Sequence, residues 1–276
     1  MPRAVAIGGA LLLAAPLQAQ TWQTFTVERG QTSANGLAVV VRHDLGQINI
    51  RPARDSVRYR ASLQYDGRAV EPIYEFNADS NSVRIGSRGS SRKTKGGGRR
   101  SATLDLTLGS VGPLALDIRA GAAQTDLDLG GLPITDLVVA SGTSDSHVRF
   151  DRPNPVAMKR LTVSTGAASI VAARLGNANA DEVVVRSAVG EIDLDLSGSW
   201  QRDAEVRAEV TLGALTIRVP MDVGVRLEVS RVLASFSHRG LVQRDGAYVS
   251  ENWSTATRKL RISAETVIGF LKVERR

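Results

Sequence analysis

The stretch LDIRAGAAQTDLDLGGLP, residues 116–133, holds two short alternating runs, LDI and DLDL, joined by small residues. Alternation of apolar and polar residues puts successive side chains on opposite faces of a β-strand, one face buried and the other wet. Between the runs there is neither a helical period nor a two-residue hairpin signal. Two strands so close in the chain, neither built to pair with the other, each need a partner from elsewhere.

Repetition supplies that partner. LDIRAG (116), LVVASG (137), LTVSTG (161), VVVRSA (183), VRAEVT (206) and LEVSRV (227) follow one another at steps of 21, 24, 22, 23 and 21 residues. A steady period of this size predicts an all-β chain wound as a parallel β-solenoid, about 22 residues per turn, each turn stacked on the last. Each turn then carries a second alternating run, as in TDLDLG, SHVRFD, VGEIDLDL and LGALTIRV. A further signature is apolar–Gly–x–apolar–x–apolar, in LGQINI (45–50), VGEIDL (189–194), LGALTI (212–217) and IGFLKV (268–273). Glycine there permits a sharp corner before the strand resumes.

Parity assigns the interior to Leu116, Ile118, Leu127, Leu129, Leu137, Val139, Val148, Phe150, Leu161, Val163, Val183, Val185, Leu194 and Leu196. Asp126, Asp128, Asp193 and Asp195 fall on the outer face. In GAASIVAARL the parity that buries Ile170 also turns Arg174 inward, which predicts a bulge or register change. The step from 227 to LRISAE at 260 is 33 residues, and the excess holds Asp245-Gly246 between β-prone runs. That predicts a hairpin projecting from the stack near 240–256. Residues 20–115 read as a less regular β region of the same stack, with strands LAVVVR, INIRP, SVRYRASLQY, IYEFN, SVRIG and ATLDLTL, and residues 116–276 as its regular part.

Residues 1–19, MPRAVAIGGALLLAAPLQA, have Arg3, an apolar run too short to span a bilayer comfortably, and a small residue, Ala19, at the end. This is the layout of a secretory signal peptide and predicts a periplasmic or extracellular protein with no transmembrane segment after cleavage. The chain of 276 residues contains no cysteine, which excludes disulfides, thiolate metal sites and cysteine nucleophiles.

The formal net charge is +7. RGSSRKTKGGGRR (88–100) concentrates Arg88, Arg92, Lys93, Lys95, Arg99 and Arg100 in a Gly/Ser-rich loop without an acid. Aromatics are only 4% of the chain, so the stacking platform of a nucleic-acid binder is missing. The six basic residues are instead candidates for binding anionic envelope material: phospholipid, lipid A phosphates or teichoic acid.

Motifs for chemistry are sparse. His43, His147 and His238 lack metal-ligand spacing. His147 stands beside Ser144, Asp145 and Ser146, but strand neighbours alternate faces and no G-x-S-x-G elbow occurs. KTKGGGRR lacks the phosphate-loop pattern. Stacked outer carboxylates could attract calcium, yet alternating Asp is also ordinary on a solvated strand. No catalytic residue, metal site or cofactor is assigned.

YDGRAVEPIYEF, LDIRAGAAQTDLDLGGLPITDL, FDRPNP, LGNANA and the final IGFLKV together resemble the bacterial toast-rack and putative-adhesin families over about residues 37–276. The later part is also similar to the C-terminal domain of cell-wall-active antibiotic response proteins, without their membrane-spanning helices. The resemblance implies a β-solenoid facing the cell envelope and, through some members, envelope-stress signalling. It implies no catalytic residue. The expected function is a non-enzymatic exported envelope protein: a scaffold, adhesin-like or stress-sensing module whose partners are envelope proteins or anionic polymers and lipids. The alternative is a polysaccharide-active β-helix enzyme, for which Trp200 and Trp253 are the candidate sugar-stacking aromatics.

Overall fold

Leu116 stands opposite Leu137, Leu137 opposite Leu161, Leu161 opposite Val183, and Val183 opposite Val206, every pair parallel. The computed structural model of the protein describes residues 22–31, 33–89 and 101–276. The expected leader and most of the basic segment lie outside these residues.

The N-terminal part contains β1 (Trp22–Gly30), β2 (Leu37–Pro52), β3 (Val57–Asp66), β4 (Val70–Asn77), β5 (Ser82–Gly89) and β6 (Ala102–Leu108). The middle contains β7 (Leu114–Asp128), β8 (Ile134–Ser141), β9 (Ser146–Arg149), β10 (Met158–Ala167), β11 (Ile170–Ala173) and a 3-10 turn, Leu175–Ala178. β12 (Ala180–Asp195), β13 (Ala204–Val219), β14 (Gly224–Arg239), β15 (Val242–Arg244), β16 (Ala247–Val249) and β17 (Lys259–Arg275) complete the chain. Among the described residues no helix is long and apolar enough to cross a membrane.

Two parallel ladders run side by side. The first has the order β5, β2, β7, β8, β10, β12, β13, β17, β14. The second has the order β6, β2, β7, β9, β11, β12, β13, β17, β14. The long strands β2, β7, β12, β13, β14 and β17 contribute to both, which is why two alternating runs follow each other with so little between them.

The inward side chains form columns. Val83, Val39, Leu116, Leu137, Leu161, Val183, Val206, Ile262 and Leu227 stack in the first ladder. Leu106, Ile50, Leu127, Val148, Ala172, Leu194, Ile217 and Val273 stack in the second. All fourteen residues assigned to the interior from parity are at most 2% exposed. Burying aliphatic area at about 25 cal/mol per Å² is the main favourable contribution in such a stack, and the ladders satisfy its backbone polar groups.

Each corner has its own chemistry. At one, Gly190, Gly213 and Gly269 lie opposite one another with φ of +136°, +148° and +135°. A Cβ on Gly213 would come within 1.8 Å of the Gly190 carbonyl oxygen, and one on Gly269 within 1.8 Å of that of Gly213. Both the close approach and the left-handed backbone demand glycine. Elsewhere, buried asparagines bridge neighbouring strands. Asn154 Nδ2 donates to the carbonyls of Ile134 and Ala178, and Asn179 Nδ2 to that of Val156. Asn177 Nδ2 donates to the Phe150 carbonyl while its Oδ1 accepts from the Ser199 amide. These are the asparagines of RPNP and LGNANA.

Spatial order departs from chain order at both ends. The run at 227 is not the neighbour of the run at 206: β17 lies between β13 and β14, so Val206 faces Ile262 and Leu227 lies beyond it. In the same way β2 lies between β5/β6 and β7. Antiparallel strands are added around the first positions, β4 on β5, β3 on β6 and β1 on β3. β1 was not expected, and the two runs LAVVVR and INIRP form one strand. Neither exchange of order alters the period or parity of any run, so repeat spacing alone could not show it.

Two further expectations are corrected. The hairpin of β15 and β16 turns at Asp245 (φ 48°) and Gly246 (φ 76°), but it does not project. β16 pairs antiparallel with β14 at Arg226 and Leu227, and Leu241, Ala247 and Val249 are buried. Nor is β11 bulged: it holds a constant register against β9 and β12. The chain leaves the strand at Arg174, whose left-handed backbone (φ 56°, ψ 44°) keeps its side chain exposed and opens the 3-10 turn.

Candidate anion-binding surface

β5 alternates Val83 and Ile85 inward with Arg84 and Arg88 outward, and β2 sets Arg42 opposite Gly86 on the same outer face. On the outer face an opening remains between Arg84 and Arg88. β4 flanks the opening, with Glu75 paired to Arg84 and Glu71 to Arg88. The result is a cleft of about 350 Å³ lined by Arg42, Ile73, Tyr74, Glu75, Arg84 and Arg88. Glu75 Oε2 lies 3.1 Å from Arg84 Nη1, and Glu71 Oε2 lies 3.1 Å from Arg88 Nε. Of the six basic candidates in 88–100, only Arg88 belongs to the described residues; Arg92, Lys93, Lys95, Arg99 and Arg100 lie outside them.

The strands on either side of that segment are tied together beneath the surface. His43, buried, donates from Nε2 to the Ala102 carbonyl at 3.0 Å, and its Nδ1 accepts from the Ser87 hydroxyl at 2.9 Å. A carbonyl can only accept, so Nε2 carries a proton; with the ring neutral, as burial favours, Nδ1 is left to accept from Ser87. Burial holds the His43 pKa below the ordinary imidazole value, opposed by the Ala102 hydrogen bond and the nearby Asp44 carboxylate. Asp44 Oδ2 in turn accepts from the Gly89 amide at 2.9 Å.

A larger arginine-lined cavity, about 970 Å³, opens where β2 and β6 end. Arg51, Arg54, Arg60 and Arg152 line it, against Asp55 and Asp128. Arg60 donates from Nε to Glu28 at 2.7 Å and from Nη2 to Asp55 at 2.8 Å. The hydrogen bond from Arg60 holds the Asp55 carboxyl below its ordinary value. Arg51 Nη2 meets Asp126 Oδ2 at 2.8 Å and, as the largest cause, lowers the Asp126 pKa. Arg152 Nη2 donates to the Gly130 carbonyl at 3.0 Å. Arg54 makes no ion pair among the described residues. Planar guanidinium forks facing a wet cavity suit phosphate or carboxylate groups, which they can grip in pairs. Sequence reading passed over this cavity; its only trace is the strand-ending RPARD at 51–55, with DRP at 151–153 brought beside it by the fold.

The outer acids do not converge. Asp126 accepts from Arg51 and from Arg149 Nη1, the latter at 3.0 Å, and Asp193 is bridged by both Nη atoms of Arg218. Asp128 and Asp195 accept from the amides of Gly130 and Ser197. His147 is exposed whereas Ser146 is buried and 3.3 Å from the Ser141 hydroxyl, and Asp145 accepts from the Ser169 amide. His238 packs against Phe236 and Tyr248. Trp200 is buried with its indole N–H given to the Leu196 carbonyl at 2.7 Å, so it presents no face for stacking a sugar. Trp253 is half-buried, its ring 5.8 Å from Lys259 Nζ.

Comparison with known proteins finds no match among curated proteins. Solved structures with a similar arrangement include a putative cell adhesion protein from Clostridium sporogenes, at 14% identity and a TM-score of 0.47, covering 93% of this chain and 99% of that one. A putative adhesin from Bacteroides fragilis matches at 13% identity and a TM-score of 0.31, over 91% of this chain and 97% of that one. A putative lipid binding protein from Parabacteroides distasonis matches at 10% identity and a TM-score of 0.37, over 92% and 96%. The family described as the N-terminal domain of toast_rack, DUF2154, matches residues 17–171, from before β1 into β11. More than half of the chain lies within that match, and the protein therefore belongs to the toast-rack family.

Proposed function

We propose that this protein is a non-enzymatic, adhesin-like binding module of the cell envelope, exported by its N-terminal leader, that holds anionic envelope polymers or lipids. The observation that carries the reading is the cavity of Arg51, Arg54, Arg60 and Arg152, where Arg51 is paired to Asp126 and Arg60 to Glu28 and Asp55, while Arg54 makes no ion pair among the described residues. The cleft of Arg42, Arg84 and Arg88 adds to it from the same end of the stack, and the sequence 88–100 adds further basic residues. The stack itself, a short β-solenoid with reordered ends, supplies a rigid frame, because the long strands β7, β12, β13 and β17 are held between neighbours on both ladders. Adhesion and lipid binding in the names of structurally similar proteins agree with this reading.

The test is sedimentation of the purified chain with vesicles of neutral phosphatidylcholine, alone or mixed with anionic phosphatidylglycerol, over a range of salt. Binding to the anionic vesicles that weakens with salt is expected, since exposed charge interactions are screened beyond about 10 Å at 0.1 M ionic strength. Equal binding to neutral vesicles, or none to either vesicles or teichoic acid, would overturn the reading.

A further inference from the structure

The last strand of both ladders is β14, and its outer edge is covered only where β16 meets Arg226 and Leu227. From Glu228 to Arg239 that edge has no strand partner among the described residues. Edge strands are usually blunted by proline, by inward charges or by a covering segment. This one contains no proline, and it exposes Val232 at 72% and Leu233 at 73%. Arg231, the charge at its middle, is folded back on its own corner, with Nη1 donating to the Ala234 carbonyl at 3.0 Å. Beside the edge, Phe236, His238 and Tyr248 form an aromatic cluster with ring centroids 4.7 to 5.4 Å apart, at the end of the stack.

Which partner fits is decided by facing and charge. Val229, Phe236 and His238 lie on the inner face, whereas Glu228 and Arg239 lie outside. The inner parity therefore slips by one residue across the corner. In an antiparallel pair of identical edges, inner residues must oppose inner residues, which holds only when the numbers of two facing residues add to an odd total. The pairing centred on Leu233 and Ala234 meets this condition: Val229 faces His238 of the other copy, Ser230 faces Ser237, and Glu228 faces Arg239. Twofold symmetry makes the Glu228–Arg239 pair twice. Parallel pairing in register would instead set Arg231 on Arg231 and Arg239 on Arg239, which is repulsive.

We propose that the free edge of β14 docks on the same edge of a second copy of this chain, antiparallel about Leu233–Ala234, so that both ladders run on continuously through the dimer. The contact is one strand wide, so the dimer belongs to the weak end of specific interfaces.

Sedimentation equilibrium of the full chain across its soluble concentration range tests the proposal. A monomer–dimer equilibrium is expected. Glu228→Arg and Arg239→Glu should each weaken dimerisation by about tenfold or more, because each replaces two attractions with two repulsions. The double variant E228R/R239E should restore it. Leu233→Lys, at an exposed position, should abolish it while leaving the β-sheet circular dichroism unchanged. A chain that stays monomeric at its highest soluble concentration would overturn the proposal. So would larger open assemblies, a dimer indifferent to these substitutions, or single variants that the double variant does not rescue.

Discussion

His43 and Ala102, 59 positions apart in the chain, are joined by a hydrogen bond of 3.0 Å from the imidazole Nε2 to the carbonyl oxygen. With Ser87 on Nδ1, the neutral ring spans both strands that flank the basic segment. Because burial lowers its pKa, the folded chain resists protonation while the unfolded chain takes up a proton near pH 6.5. Stability at His43 is thus complete above about pH 6.5 and falls as the pH drops toward the folded value, by at most about 1.4 kcal/mol per pH unit. Urea unfolding of the protein and of His43→Gln between pH 7.5 and 5 should show this slope in the first and a smaller one in the second.

Leu194 is fully buried between Ala172 and Ile217, so Leu194→Ala should cost roughly 2–5 kcal/mol. Asp195→Ala loses one bond to the Ser197 amide, and Asp193→Ala loses the half-exposed Arg218 pair. Each should cost no more than about 1 kcal/mol. Urea midpoints of the three variants, measured with and without calcium, decide the matter; a calcium-dependent midpoint in the parent protein would contradict the arginine-paired acids.

Gly213→Ala should be among the most damaging single changes. Left-handed backbone strain alone costs about 1–3 kcal/mol for an ordinary residue, and the added methyl group would meet a backbone oxygen that cannot move independently of β12. Gly30→Ala, at the end of β1 with open space around it, is the control and should be near neutral by thermal unfolding.

Asn177→Ala should cost about 1–3 kcal/mol, since it strands the buried Phe150 carbonyl and removes the partner of the part-buried Ser199 amide. Asn177→Asp should be no better above pH 5, because the carboxylate cannot donate to Phe150. Calorimetry on both variants checks it.

Replacing Arg88, Arg92, Lys93, Lys95, Arg99 and Arg100 by serine should leave the melting temperature nearly unchanged. Vesicle binding should weaken and lose part of its salt dependence. What binding remains should disappear with Arg54→Ser and Arg152→Ser, if the cavity is the principal site.

The interior of the stack was legible because its cause is local. Alternation fixes which side of a strand is buried, and a constant step fixes the neighbour, so Leu116 through Leu196 could be placed from spacing alone. The glycine corners were legible for the same reason. The order of the end strands was not, because inserting β17 between β13 and β14 changes which Val206 neighbour is chosen without changing any residue's face. Arg174 could not be placed by parity either, since parity has no account of a residue that leaves the strand through left-handed backbone. The arginine cavity was hidden because Arg51, Arg54, Arg60 and Arg152 come from three separate segments, each carrying an unremarkable charge.

The position of β17 also bears on how the chain is completed during synthesis. β14 emerges first, yet it cannot take its place next to β13, since that place is held for a segment that emerges some 35 residues later. Until β17 arrives, the growing chain presents the edge of β13, with Glu205, Arg207 and Glu209 alternating along its outer face. Vectorial turn-by-turn winding can therefore proceed from β7 to β13 and must then wait. β14 docks on this end of the stack through β17 alone, so loss of the final strand would release β14 and its hairpin as well.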